Sequence, residues 1–370
     1  MNAPKLLFFV TEDWYFCSHR LALAVAAREA GFEVAVVTRV SEHGEIIRRA
    51  GLDIIPFEIS RRGMNPFMEL AALIRLMAIY RRGKPDLVHH VAMKPVLYGT
   101  LAARLAGVPH IVNALAGMGW LFTSAKMMAR FVKLLVRLTF RFLLRQTWVI
   151  VQNPDDAALM AGAGLESVRL IRGSGVDVEV FRPEPEPAGP PLVVLPARML
   201  WDKGVGEFIE AARQLKERGV IARFALVGEP DPENPATVTE EQLAAWHAET
   251  VVEWWGQRDD MAQVYAQAHV VCLPSYREGL PKALLEAAAC GRPIVATDVP
   301  GCRVIVRDGD NGVLVPVRDA PALAEALARL IADPDMRRRM GESGRALAVG
   351  EFSQERVIAE TLAVYREAMA

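Results

Sequence analysis

The chain has 370 residues, 52% hydrophobic and 24% charged, with a formal net charge of -1. At roughly 100–200 residues per domain this length predicts two domains, and the mixed composition excludes disordered, collagenous and coiled-coil chains. The near balance of charge argues against a whole-chain nucleic-acid binder. The cysteines Cys17, Cys272, Cys290 and Cys302 are too scattered for a disulfide framework and too isolated for a metal site, which predicts reduced thiols in a cytosolic setting. The opening apolar run Leu6–Val10 is too short for a signal-peptide core and reads as a buried first strand. Similar runs follow at Val34–Thr38, Leu87–His90, Ile111–Asn113 and Trp148–Val151, and again at Leu192–Ala197, Phe224–Val227, Val270–Pro274 and Ile294–Thr297. Runs apolar on both faces and separated by helical patterns predict parallel sheets covered on both sides, an α/β doubly wound arrangement that occurs twice.

The density of Pro and Glu from Arg182 to Pro191 cannot continue a helix or central strand, so the interdomain connection is expected there. This divides the chain into 1–180, 181–350 and a terminal helical segment 351–370 led by a Ser353 cap. Residues 1–180 hold 22 Lys and Arg against 15 Asp and Glu, whereas the remainder holds 21 against 29. A basic half and an acidic half suggest different partners. No stretch has the roughly 18 uninterrupted apolar residues of a membrane span.

Much of the basic excess lies in residues 124–147, which contain six basic residues and no acidic one. At helical spacing, Lys126, Arg130, Lys133, Arg137, Arg141 and Arg145 form a stripe, with Phe131, Leu135, Leu138 and Phe142 expected on the opposite face. Contact with an anionic membrane surface is one reading, and a covering helix with a solvated basic face is the other. The lack of any acid favours the membrane. Nucleic acid is not expected, because no stacking platform or reader motif accompanies the stripe.

In the second half, the segment from Leu273 to Ala287 reads as strand, glycine-containing turn and helix, with Pro281 at the first helical position. Such a unit aims backbone N–H groups and a helix dipole at one point, which suits a diphosphate. Glu278 and Glu286 flank it, and as poor phosphate ligands they suit hydroxyls instead. Arg198 and Lys203 leave the carboxyl end of the strand Leu192–Ala197, where open α/β sheets bind ligands. Together they offer a bidentate fork and a mobile cation for a diphosphate.

The chain resembles the retaining glycosyltransferases of family 4, which have the GT-B fold of two Rossmann-like domains facing across a cleft. The resemblance rests on Glu278 and Glu286 in E-x7-E with its E-G-L-P lead, on A-R-x4-K-G at 197–204, on the P-G-x4-V-x-D-G-x-N-G-x-L-V stretch at 300–315 and on F-S-x-E-x-V at 352–357. The first half is similar to a subgroup acting on polyprenyl-diphosphate-linked sugars, through Glu12-Asp13-Trp14-Tyr15-Phe16 with Ser18-His19-Arg20, Met93 to Gly99, and Asn113 to Gly119. The resemblance implies an N-terminal acceptor-binding domain, a C-terminal nucleotide-sugar domain and a last helix that crosses back to the first.

It also implies that Glu278 bonds the transferred sugar, Glu286 the ribose, and Arg198 with Lys203 the diphosphate. Gly279 and Leu280 would supply backbone donors, and Ser275, Lys282 and Gly228 complete the donor candidates. His19, Arg20, Lys94 and Asn113 are the acceptor-side candidates. The donor expected is a UDP-N-acetylhexosamine, UDP-GalNAc first, and the acceptor a polyprenyl-diphosphate saccharide. No resident cofactor or metal is expected, and the enzyme should work in the cytoplasm on the inner face of the cell membrane. Two departures stand out: the loop Thr11 to His19 lacks the glycine pair many relatives carry, and Leu115 stands where many have His. Asp308-Gly309-Asp310 spells D-x-D, but its setting reads as a turn. A UDP-sugar 2-epimerase on the same double sheet is the alternative. A nicotinamide dehydrogenase is disfavoured because no G-x-G-x-x-G follows a strand.

Overall fold

The computed structural model describes residues 3–59, 65–115 and 138–370. The chain forms two compact units, Met1–Ser174 with Arg356–Ala370, and Gly175–Glu355.

The first unit carries seven strands: β1 (Lys5–Glu12), β2 (Glu33–Arg39), β3 (Asp53–Pro56), β4 (Leu87–Val91), β5 (His110–Leu115), β6 (Trp148–Val151) and β7 (Val168–Leu170). They pair in the order β3-β2-β1-β4-β5-β6-β7, every pair parallel. The helices are α1 (Asp13–His19), α2 (Leu21–Glu29), α3 (Gly44–Arg49), α4 (Pro66–Gly83), α5 (Met93–Ala106), a short α6 (138–143) and α7 (Pro154–Gly162). Strands apolar on both faces demand a helical layer on each side. On one side α2 and the final helix meet Leu6 and Phe8, and on the other α4 and α5 meet Leu7 and Phe9. Asn153 caps α7 by accepting from the Asp156 amide at 2.8 Å, as the Asn-Pro-Asp-Asp run predicts.

The second unit has β8 (Leu192–Pro196), β9 (Arg223–Val227), β10 (Glu253–Trp254), β11 (Val270–Leu273), β12 (Ile294–Thr297) and β13 (Gly312–Val315), in the order β10-β9-β8-β11-β12-β13, again all parallel. Its helices are α8 (Val205–Glu217), α9 (Glu240–Ala248), α10 (Met261–Gln267), α11 (Lys282–Ala289), α12 (Pro300–Ile305), α13 (Ala320–Ala332) and α14 (Pro334–Phe352). A last helix, α15 (Gln354–Met369), starts beside the second unit. From Arg356 onward it belongs to the first, where Val357, Val364 and Tyr365 join the core of Leu6 and Phe8.

The boundary at Ser174/Gly175 lies before the proline-rich stretch, where composition alone places the connection. That stretch is bound into the second unit because its acceptors find buried cations. Arg337 grips both oxygens of Glu186 at 2.8 and 2.7 Å, and Arg292 donates to the Glu184 carbonyl at 2.9 Å. These residues line a surface hollow of about 610 Å³ at the amino end of the sheet, away from the strand ends described next.

Candidate active site

In each sheet the chain winds outward from one strand and then returns to that strand's other side. The reversal falls between β8 and β11 in the second unit, and at such a point the loops after both strands leave an open crevice at their carboxyl ends. The loop after β8 makes a 3-10 turn at Trp201–Lys203 and enters α8 through Gly204, whose φ of +74° suits glycine. A Cβ there would stand 2.2 Å from the Pro274 carbonyl oxygen, so the β8 and β11 loops touch only because this residue has no side chain. The close approach delivers Lys203 to Glu278: Nζ donates to Oε1 at 2.5 Å, with the carboxylate only 10% exposed.

Beyond Glu278 the turn rests on α12, where a Cβ on Gly301 would come within 2.6 Å of the Glu278 and Gly279 carbonyl oxygens. The 300–315 motif thus packs its glycine beneath the turn. Pro281 is the N-cap of α11, one place before its expected position, and no side chain caps this helix. The first N–H groups of an α-helix have no partner inside it, so this uncapped end offers them to an anion. Ser275, fully buried at the end of β11, has an Oγ without a hydrogen-bond partner, while its carbonyl accepts from Thr297.

Glu286, five residues into α11, is 7% exposed and accepts from the Tyr265 hydroxyl at 3.0 Å, with Lys282 Nζ 3.5 Å away. Burial raises its carboxyl above the usual glutamate range, and Lys282 and Tyr265 oppose the rise. Arg198 donates to Asp231, after β9, at 2.6 Å and remains 47% exposed. The structure therefore brings Lys203 directly to Glu278 and Lys282 to Glu286, and it holds Arg198 on Asp231. Gly228, at φ +138°, closes the end of β9: a Cβ would lie 2.0 Å from the Ala197 carbonyl oxygen. Gly204 and Gly301 belong to the motifs read in the sequence, which do not show what they pack against, whereas residue spacing gives no sign of Asp231 or Tyr265, which reach the site from other elements.

The acceptor-side candidates in the first unit behave differently. Asn113 is fully buried, and its partners occupy its side chain. Its Oδ1 accepts from His90 Nδ1 at 2.8 Å and from Thr100 at 2.9 Å, its Nδ2 donates to Thr147 at 3.1 Å, and His90 Nε2 accepts from Tyr80 at 3.1 Å. Burial drives the His90 imidazole down to about 4, which keeps this network neutral. Asn113 is thus corrected from a contact residue to a buried brace, because a polar residue in a central strand must be satisfied inside the sheet.

Arg20 is 5% exposed and donates to the Gly173 carbonyl at 3.5 Å, beside the unit boundary. His19 stacks on Tyr15 with ring centroids 4.2 Å apart, and Lys94 pairs with Glu69 at 2.7 Å. Between β4 and α5, Ala92 has φ +77° and ψ 164°, a conformation that costs a non-glycine residue about 1–3 kcal/mol.

Of the basic stripe, Lys126, Arg130, Lys133 and Arg137 lie outside the described residues, as do Phe131 and Leu135. Arg141 and Arg145 are exposed, in keeping with the sequence. The apolar face is corrected: Leu138 and Phe142 are 44% and 72% exposed, whereas Phe140 and Leu144 are buried against Val96 and Val149. The D-x-D residues form a turn: Gly309 N–H donates to Gly312 at 2.9 Å, Asp308 accepts from Leu314 N–H, and Asp310 from Ser343. Among the described residues, no cluster of His, Cys, Asp or Glu is placed to hold a metal ion, and no helix is long and apolar enough to cross a membrane.

The family model "Glycosyl transferases group 1" matches residues 177–347, and "Glycosyl transferase 4-like" matches residues 5–153. The chain belongs to glycosyltransferase family 4. This glycosyltransferase is 29% identical over 343 residues, 88% of each chain, to the N,N'-diacetylbacillosaminyl-diphospho-undecaprenol alpha-1,3-N-acetylgalactosaminyltransferase of Campylobacter jejuni. It is 26% identical to the UDP-Gal:alpha-D-GlcNAc-diphosphoundecaprenol alpha-1,3-galactosyltransferase of Escherichia coli, over 74% of this chain and 73% of that one. Among solved structures, the sucrose-phosphate synthase of Thermosynechococcus elongatus superposes with a TM-score of 0.80 over 98% of each chain at 22% identity, which gives the glycosyltransferase the GT-B fold.

Proposed function

We propose that the enzyme transfers an N-acetylhexosamine, GalNAc before GlcNAc, from its UDP-sugar to a polyprenyl-diphosphate saccharide, with retention at the anomeric carbon and without a metal ion. The observation that carries this reading is the Lys203–Glu278 pair at the β8/β11 reversal, beside the uncapped start of α11. The donors and acceptors of the Campylobacter and Escherichia relatives, as their names give them, support the choice of substrates.

Two carboxylates beside a diphosphate repel it unless cations intervene. Lys203 neutralises Glu278, and its two remaining N–H groups serve the diphosphate. Arg198 spends one N–H on Asp231 and keeps the rest of its fork for the same group. The N–H groups of Gly279, Leu280 and the first turn of α11 complete the cradle, with Ser275 Oγ as a further donor. Gly228 lets the β9 end approach closely, and Lys282 steadies Glu286, which accepts from the ribose hydroxyls while Glu278 accepts from the sugar.

As the bond from anomeric carbon to diphosphate oxygen breaks, negative charge grows on the leaving group and positive charge on the sugar. The acceptor hydroxyl forms the new bond on the same face, and its proton passes to the departing phosphate oxygen. Lys203, Arg198 and the helix dipole bear the developing charge in place of a divalent ion. In the first unit we take the carboxyl end of β4, where Ala92 is strained, as the acceptor side, with Lys94 just beyond it and His19, at the end of the helix after the neighbouring strand β1, as candidate contacts. The enzyme would work in the cytoplasm, seated on the inner face of the cell membrane through the Arg141–Arg145 region.

Mass spectrometry of products from a panel of nucleotide-sugars with a short polyprenyl-diphosphate-sugar acceptor tests this. Addition of one N-acetylhexosamine, lost in Glu278→Ala, is expected. Transfer that survives Glu278→Ala, or an epimerised donor formed without acceptor, would overturn the reading.

A further inference from the structure

Helix α4 is apolar on both faces. Its inner face buries Ala72, Leu76 and Tyr80, while on its outer face Phe67, Leu70 and Ile74 are 84%, 55% and 52% exposed. A helix of a water-soluble domain normally turns charge outward, so three large apolar residues on one outer stripe need a cover. The exposure continues onto α5 at Leu105 and onto α6 at Phe142. These three helices form one layer on one side of the first sheet: α4 and α5 share a core, and α5 and α6 share the next. Cross-links hold them in place, with Arg81 donating to the Leu105 carbonyl at 3.1 Å and Arg104 to the Arg145 carbonyl.

Charge identifies the cover. Arg75, Arg81, Arg82, Arg104, Arg141 and Arg145 are all exposed on this layer. Its one acid, Glu69, is tied to Lys94 at 2.7 Å. A second copy of the chain docked face to face would set these cations against each other. An anionic bilayer accepts apolar side chains below its headgroups and cations among them.

We infer that the outer face of α4, α5 and α6 is a membrane-seating surface in which Phe67, Leu70 and Ile74 enter the acyl boundary of an anionic leaflet and the arginines engage its headgroups. The inference rests on the lipid-linked acceptor proposed above and extends the contact well beyond the basic stripe. It places the apolar anchor on α4, where the sequence shows no basic run.

Flotation of the full chain with vesicles of phosphatidylcholine alone, or mixed with phosphatidylglycerol, tests it. Binding to the anionic vesicles is expected, with loss of at least about tenfold in the triple variant Phe67→Ser/Leu70→Ser/Ile74→Ser. Arg104→Gln or Arg141→Gln should each weaken binding about fivefold. In a Phe67→Trp variant, which keeps an aromatic at this exposed site, the indole fluorescence added by the substitution should be quenched by brominated lipid in the anionic vesicles. The triple variant should keep wild-type rates on a water-soluble acceptor and lose them on a vesicle-embedded one. A wild-type chain that floats but transfers no sugar would sink the proposed reaction and leave this surface standing. Undiminished flotation of the triple variant, a Phe67→Trp variant whose added fluorescence escapes quenching, or a wild-type dimer that the triple variant converts to monomer would overturn the surface.

Discussion

Replacing Lys203 by Gln distinguishes a structural ion pair from a catalytic one. Lys203 Nζ lies 2.5 Å from Glu278 Oε1, and the carboxylate is 10% exposed, so the substitution leaves a mostly buried charge with a weaker partner. A hydrogen bond to a charged group contributes about 1.5–3 kcal/mol, so the second unit should lose about 2 kcal/mol of stability. At about 2–4 °C per kcal/mol for a unit of this size, its Tm should fall by about 4–8 °C. Catalysis should suffer more, because losing one group that balances developing charge costs about 10²–10³ in kcat.

The double variant Lys203→Gln/Glu278→Gln separates the two effects. Removing both charges should restore most of the Tm, since no unpaired carboxylate remains, yet activity should stay at the floor. Calorimetry with steady-state transfer of labelled sugar, on both single variants and the double, completes the cycle. A Lys203→Gln enzyme with lowered Tm but kcat within about tenfold of wild type would reduce the pair to a structural contact.

Gly204→Ala forces a Cβ to 2.2 Å from the Pro274 oxygen at a positive φ, and should cost more than about 2 kcal/mol in denaturant titration while lowering kcat by separating the β8 and β11 loops. Because burial raises the Glu286 carboxyl, its ionisation costs the folded chain energy. Stability from this group is greatest below the usual glutamate range and declines as pH rises through the raised value, whereas donor affinity should fall as pH drops through it. Tyr265→Phe removes a bond to the ionised form and should move that acid limb of kcat/KM upward, and Glu286→Gln should flatten it. The His90 imidazole, held near 4 by burial, takes up its proton only on unfolding above that pH, so this group alone should cost the first unit about 3 kcal/mol between pH 6.5 and 4, read as the difference between wild type and a His90 variant in urea melts. Asn113→Ala strands His90 Nδ1 and Thr147 and should cost about 2–4 kcal/mol, with KM for the acceptor unchanged once folded.

The strands visible in the sequence are those buried on both faces, such as Leu6–Val10 and Val270–Leu273, where the apolar run leaves no ambiguity. Those overlooked are the four edge strands: Asp53–Pro56 is half-exposed, Val168–Leu170 has three residues and Glu253–Trp254 two, too little pattern to read, and Gly312–Val315 follows directly on the Asp308–Asn311 turn that dominates its stretch of sequence. The donor-side candidates Arg198, Lys203, Glu278 and Glu286 could be picked out because they sit in short loops at predicted strand ends or in the second turn of the helix that follows. Their supports could not, since Asp231 and Tyr265 reach them from other strands and helices. Asn113 misleads for a related reason: its place at the end of a predicted strand resembles a site position, and only the partners Tyr80, His90, Thr100 and Thr147 reveal an internal network. Leu138 precedes Arg141 by three residues and Phe142 by four, so helical spacing puts all three on one exposed side, and Phe140 and Leu144 turn inward instead.

Titration calorimetry with UDP and UMP, on wild type and on the double variant Arg198→Gln/Lys203→Gln, tests most directly whether these cations grip a diphosphate. Wild type should bind UDP more tightly than UMP, and the variant should lose that preference while binding UMP as before. A variant that binds UDP as wild type does would contradict the account.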